Sequence, residues 1–250
     1  SSDLMRSGVI PDFVLTVDPD AHRIIRWFGD KRLSERPDDD YFSRQDIDPA
    51  HNKNEVERNQ ETIELLDRFG PQVKLIISVG VDHEITQRSI EAGMDLYWWT
   101  PLFDDPALDT SLTSKVRRII KTPCLVTGGN VGACCWAFAQ AVLKSSPVLM
   151  VGMDFSYPPG TNVFNTQYYH ELKEFFPDNP SKGLFQIYNH HLDETWLTDP
   201  TYYWYQKNFM KMIHLGYGDT INCTEGGILF EEPVLWKPFR QAIRELKEKG

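Results

Sequence analysis

Several short stretches of this sequence carry residue types that handle phosphates and activate hydroxyl groups. Gly128-Gly129-Asn130-Val131-Gly132 places bare backbone N–H groups just ahead of an apolar helical run. That arrangement suits a phosphate or carboxylate held at the positive end of a helix. It equally suits a tight turn in which Asn130 caps the helix and Gly132 permits close packing. Val151-Gly152-Met153-Asp154 ends a strand-like run in a carboxylate, and Phe155-Ser156-Tyr157-Pro158-Pro159-Gly160 offers no helix for Asp154 to cap. A carboxylate at the end of a buried strand needs hydrogen-bond donors or a cation, or it serves as a catalytic group. Asn222-Cys223-Thr224-Glu225-Gly226-Gly227 reads either as a β-turn or as a loop presenting Asn222, Thr224 and Glu225 to a ligand.

Asp18, in Val17-Asp18-Pro19-Asp20, is ambiguous. Aspartate before proline is a normal helix start, so capping is the simpler expectation and a metal-ligating role the sharper one. His170, His190 and His191, with Asp193 nearby, could form a base oriented by a carboxylate. An aromatic-rich segment packing on itself explains them more simply. The neighbouring His190 and His191 do not readily share one metal. Tyr168, Tyr169, Tyr188, Tyr202, Tyr203, Trp204 and Tyr205 could wall a flat ring, although most such aromatics are core.

Elements that would position these residues follow from the pattern of apolar runs. Phe13–Val17, Val73–Val79, Asp95–Trp99, Cys124–Thr127, Val148–Met153 and Thr220–Cys223 are short and mostly continuous, as expected of strands covered on both faces. Between them, Asn54–Phe69, Glu84–Ala92, Leu112–Ile120, Val131–Lys144 and Tyr202–Leu215 repeat apolar residues at helical intervals, and Leu235–Lys249 reads as a closing amphipathic helix. This alternation predicts an α/β fold with a doubly wound, mostly parallel sheet, Rossmann-like, in three αβα layers. In such sheets ligands bind beyond the carboxyl ends of the strands, where the stretches above fall. One domain over residues 1–250 is expected, with a polar excursion at Asp30–Asn52 and a loop-rich aromatic insertion at about 157–200.

Composition narrows the function classes. A net charge of −10, with no basic cluster, argues against nucleic acid as a partner. No apolar run reaches the length of a membrane span, and no secretory leader is evident, so a cytoplasmic protein is expected. Cys124, Cys134, Cys135 and Cys223 lack C-x-x-C spacing and suit buried thiols in a reducing compartment. There is no P-loop, no G-x-S-x-G elbow and no H-E-x-x-H.

Three segments together resemble the MptE-like family. They are Gly8-Val9-Ile10-Pro11-Asp12-Phe13-Val14 leading into Val17-Asp18-Pro19, then Thr127-Gly128-Gly129-Asn130-Val131 followed by Val151–Tyr157, and the closing Asn222–Gly227 turn. The family includes archaeal 6-hydroxymethyl-7,8-dihydropterin diphosphokinases and the motility accessory factors that glycosylate flagellin. Its core is similar to that of bacterial sialyltransferases. Members usually begin with a strand and a Gly-x-Gly-Pro-Ser-Leu-type loop, and this sequence starts after that point, as a fragment or a divergent member would.

The resemblance implies a nucleotide-dependent transferase. As a diphosphokinase it would use ATP and Mg²⁺, with Asp18 and Asp154 on the cation. Gly128, Gly129 and Asn130 would then lie against phosphate, and the pterin hydroxymethyl oxygen would attack the β-phosphorus. As a glycosyltransferase it would use a CMP-linked nonulosonic acid and a sugar or alcohol acceptor, with His170, His190 or His191 as base. A non-catalytic nucleotide-binding module is the third reading, and self-association into a homo-oligomer stays open.

Overall fold

The computed structural model describes residues 2–36 and 55–249; the acidic run Asp38-Asp39-Asp40 and most of the Asp30–Asn52 excursion lie outside them. The chain divides into two compact units, Ser1–Thr127 and Gly128–Gly250.

In the first unit, α1 (Ser2–Arg6) precedes β1 (Phe13–Leu15), α2 (Ala21–Ile24) and α3 (Glu55–Phe69). Then come β2 (Lys74–Ser78), α4 (His83–Glu91), β3 (Asp95–Pro101), α5 (Leu112–Ile120) and β4 (Cys124–Leu125). The four strands are all parallel, in the order β1-β2-β3-β4, and form a curled sheet with helices around it. This is the Rossmann-like α/β class that strand–helix alternation predicts. β2 shows why its apolar run is unbroken: Leu75, Ile76, Ile77 and Ser78 are all buried. Leu66 from α3, Ile85 from α4 and Phe28 complete its core.

Two expectations fail here. Asp18 caps nothing: α2 begins at Ala21, and Asp20 accepts the His22 amide at 3.0 Å as its cap. Pro19 instead offers its carbonyl to the Asp82 amide at 2.8 Å, so the chain stays extended past Asp18. Asp30, expected in a surface excursion, is 3% exposed. Its carboxylate pairs with Arg36, and its backbone N–H donates to Asn59 Oδ1 at 2.7 Å.

The second unit opens with α6 (Val131–Ala141) and β5 (Val148–Met150), followed by α7 (Tyr169–Phe175) and the antiparallel hairpin β6 (Phe185–Asn189) and β7 (Glu194–Thr198). Then come α8 (Pro200–Leu215), β8 (Thr220–Asn222), β9 (Leu235–Trp236) and α9 (Phe239–Lys249). β5, β8 and β9 form a parallel sheet in that order. Trp136, Phe155, Phe209, Met210, Ile213 and Leu229 lie at the centre of its core. Trp136 meets Phe209 edge-on at 5.5 Å, a favoured arrangement for aromatic quadrupoles.

The insertion expected as loops holds α7 and a hairpin. Phe185-Gln186-Ile187-Tyr188-Asn189 alternates as a strand should, and Asp193 at φ +54° makes the turn. Leu235–Trp236 pairs as a strand beside β8, and the closing helix starts only at Phe239. The thiols are free, but not all are buried. Cys134 and Cys223 are buried, Cys124 is half-buried and Cys135 is exposed, so the helical turn does separate the adjacent pair. Burial pushes the Cys134 thiol up to about 12.

Candidate functional site

All three strand-end stretches of the second unit meet around Asp154. The glycines of the first stretch are shaped by packing. Asn130 caps α6, its Oδ1 accepting the Ala133 amide at 2.9 Å. A Cβ on Gly132 would collide with the Met153 sulfur, so α6 rests directly on the corner that follows β5. Gly129, at φ +90°, lies under the Trp204 ring, where an added Cβ would come within 2.8 Å of Cζ3. The helix-cap reading of Asn130 therefore describes what the side chain does, and Gly129 beside it is packed against Trp204 and Tyr205 of α8.

The third stretch is stitched to the same corner. Met153 N–H donates to Thr224 Oγ1 at 3.0 Å, and Ile228 N–H donates to the Asp154 carbonyl at 2.9 Å. Gly227, at φ +77°, lies so close to the Asp154 backbone that a side chain would overlap it. Asn222 is fully buried. Its Nδ2 donates to the Leu229 carbonyl at 2.6 Å, and its Oδ1 accepts the Thr224 amide at 2.9 Å. Both ends of that amide are engaged within the loop. Glu225 accepts the Phe239 N–H at 2.9 Å, which fastens α9 to the loop. Of the three residues expected to touch a ligand here, Asn222 and Thr224 bind the chain to itself, and Glu225 keeps one carboxylate oxygen uncommitted.

Asp154 is half-buried between Trp196, Gly226 and Tyr202. Burial holds its carboxyl above the ordinary range, with only its own backbone N–H pulling the other way. Among the described residues no other group donates a hydrogen bond to it. The segment after it is tightly clamped: Thr198 Oγ1 donates to the Phe155 carbonyl at 2.9 Å, and Ser156 Oγ to the Asp154 carbonyl at 3.0 Å. Tyr157, 1% exposed, donates to Asp199 at 2.6 Å.

Asp199 is a residue that sequence reasoning missed. It is fully buried and caps α8 through the Thr201 and Tyr202 amides at 2.8 and 2.9 Å. Burial raises its carboxyl while these donors oppose the rise, and burial also pushes the Tyr157 phenol upward. The signal was present in Asp199-Pro200, the same Asp-Pro pair that misleads at Asp18-Pro19.

The histidines are arranged differently from a carboxylate-oriented base. His190 and His191 occupy the hairpin turn, both exposed, with rings 4.1 Å apart. His191 stacks on Trp236 at 4.8 Å and 3°, and His190 meets Phe230 edge-on. Asp193 accepts from Tyr188 at 2.6 Å and orients neither imidazole. Burial, then His190, lowers the basicity of His191. His170, on α7, packs against Tyr169. Among the clustered aromatics, Tyr157 and Tyr202 meet tilted at 5.1 Å and Tyr168 meets Tyr202 edge-on at 5.5 Å; Tyr168, Tyr169, Tyr202, Tyr203 and Tyr205 are half-buried, while Tyr188 and Trp204 are exposed.

Asp18 belongs to the first unit. It is half-buried, and its carboxyl is raised by burial against the opposing pull of Arg23. Among the described residues no group of three or more His, Cys, Asp or Glu side chains could hold a metal. Asp154 offers a single carboxylate, which suits Mg²⁺ only where substrate phosphates supply further ligands. Among the described residues no helix is long and apolar enough to cross a membrane. No family model, no curated protein and no solved structure matches this chain.

Proposed function

We propose that the chain is a nucleotide-dependent transferase, with Asp154 as the group that takes the proton from an acceptor hydroxyl. The observation that supports this most is the Asp154 carboxyl itself. It is fixed on a clamped corner, raised by burial, and met by no donor from another residue among the described ones. A carboxylate so placed is a stronger proton acceptor than a solvated one. The acceptor oxygen, losing its proton to Asp154, attacks the electrophilic centre of the activated donor, and the nucleotide leaves.

In the first form of the reading the donor is ATP and the acceptor a 6-hydroxymethylpterin-type alcohol. Pyrophosphate is transferred and AMP departs, with Mg²⁺ screening the phosphate charge. The second form uses a CMP-linked nonulosonic acid and a sugar or alcohol acceptor. A lone carboxylate suits proton transfer more directly than it suits a metal pair, and this favours the second form. The MptE-like resemblance and a cytoplasmic setting belong to the same proposal.

The test is direct. Protein incubated with ATP, Mg²⁺ and the pterin alcohol should release AMP, or with the CMP-linked donor should release CMP. Asp154→Asn should lower that release about a hundredfold or more. If neither nucleotide appears with any acceptor of these classes, the transferase reading fails.

A further inference from the structure

The outer face of α8 carries a stripe of side chains that the proposed chemistry does not use. Trp204 is 55% exposed although it belongs to a well-packed helix. One part of its ring lies against the Gly129 backbone, and Tyr205 braces it at 5.5 Å and 55°. An indole supported on one side and open on the other is a rigid platform for a flat ring. Asn208 and Lys211 follow at i+4 and i+7, one and two helical turns further along the same face. Asn208 makes no hydrogen bond and Lys211 no ion pair among the described residues. By contrast Lys207, one residue away from this line, is engaged with Glu231 at 2.6 Å.

The stripe therefore offers an aromatic surface, then an amide with free donor and acceptor, then a cation. From Trp204 to Lys211 the helix rises about 10 Å. We infer that this face of α8 binds a nucleotide lengthwise: the base stacks on Trp204, the sugar or base edge meets Asn208, and the phosphate meets Lys211. The inference rests on the transferase reading for the class of ligand and assigns a nucleotide-binding surface on this helix face. Arg would give phosphate a bidentate partner, whereas Lys gives a point charge, so the site recognises phosphate without dictating its number.

Isothermal titration with CMP, AMP, cytidine and adenosine would test it on the full chain. Trp204→Ala should weaken nucleotides and nucleosides alike, by about tenfold for one lost stacking contact. Lys211→Ala should weaken CMP and AMP while leaving cytidine and adenosine unchanged, and its effect should shrink as salt is raised. Trp204→Phe should retain most of the affinity. Both residues are exposed, and unchanged melting temperatures would show that the variants fold. Nucleotide binding that is indifferent to Trp204→Ala overturns the inference and leaves the transferase reading standing. No binding of any of the four compounds overturns the surface assignment outright. Loss of turnover in Asp154→Asn with nucleotide affinity intact reports on the reaction alone, so the two failures can be told apart.

Discussion

Asp18 apart, whose carboxyl is raised by burial in the first unit, the two units surround their carboxylates in opposite ways. The first surrounds its carboxylates with guanidinium groups: Asp30 pairs with Arg36, Glu84 with both Arg32 and Arg36, and Asp67 with Arg88 at 2.7 Å. Arg88, 5% exposed, also donates to the Gly29 carbonyl at 3.0 Å. These cations hold the Glu84 carboxyl down at about 2. The second unit places Asp154 and Asp199 among tyrosines, tryptophan and backbone amides, and burial raises both. Paired charges of the first kind fasten segments of chain together. A carboxylate raised by burial and left short of donors is the kind of group that chemistry uses.

The comparison is most sharply tested at Asp199. Its replacement by Ala removes the α8 cap and strands the buried Tyr157 hydroxyl, so the fold should lose about 2–4 kcal/mol in urea unfolding. Asp199→Asn, which keeps an acceptor for the α8 amides, should lose less. An equal loss in both variants would mean that the cap contributes little.

A smaller effect of opposite sense is expected at Asp154. Its folded carboxyl titrates above the unfolded value near 3.8, so the native state binds the proton more tightly. The contribution is present at low pH and is lost as pH rises through the folded value. Stability of Asp154→Asn relative to the unsubstituted chain should therefore increase as pH rises above the unfolded value near 3.8. A constant difference across that range would show that burial does not perturb the group.

The smallest effect is expected at Glu84, whose carboxyl is lowered and partly exposed beside two arginines. Its contribution is present above the unfolded value near 4.5 and fades as pH falls towards about 2. Glu84→Gln should cost about 1 kcal/mol or less at neutral pH, because screening weakens exposed pairs. The cost should vanish in acid and shrink in high salt. Circular dichroism melts at several pH values would show the two carboxylates moving in opposite directions.

The pattern of apolar runs alone located six of the nine described strands and the middle of most helices, because β2 is an unbroken apolar run and α5 repeats its apolar residues at helical intervals. Sequence also placed the strand-end stretches in the right local settings: Asn130 at a helix cap and Asp154 at a corner with no helix to cap. The β6–β7 hairpin escaped because its apolar residues are diluted by Gln186, Asn189 and Thr195 in a segment rich in loop formers. What each polar side chain does lay beyond the sequence. Asn222 and Glu225 look as available as Asp154 when read in one dimension. The distinction arises because Leu229, Thr224 and Phe239 are brought by the fold to the first two, while Trp196 and Tyr202 are brought to the third. Hydrogen-bond satisfaction and desolvation depend on neighbours distant along the chain. Tertiary packing therefore decided which carboxylate was bonded within the chain and which was left half-buried without a donor from another residue.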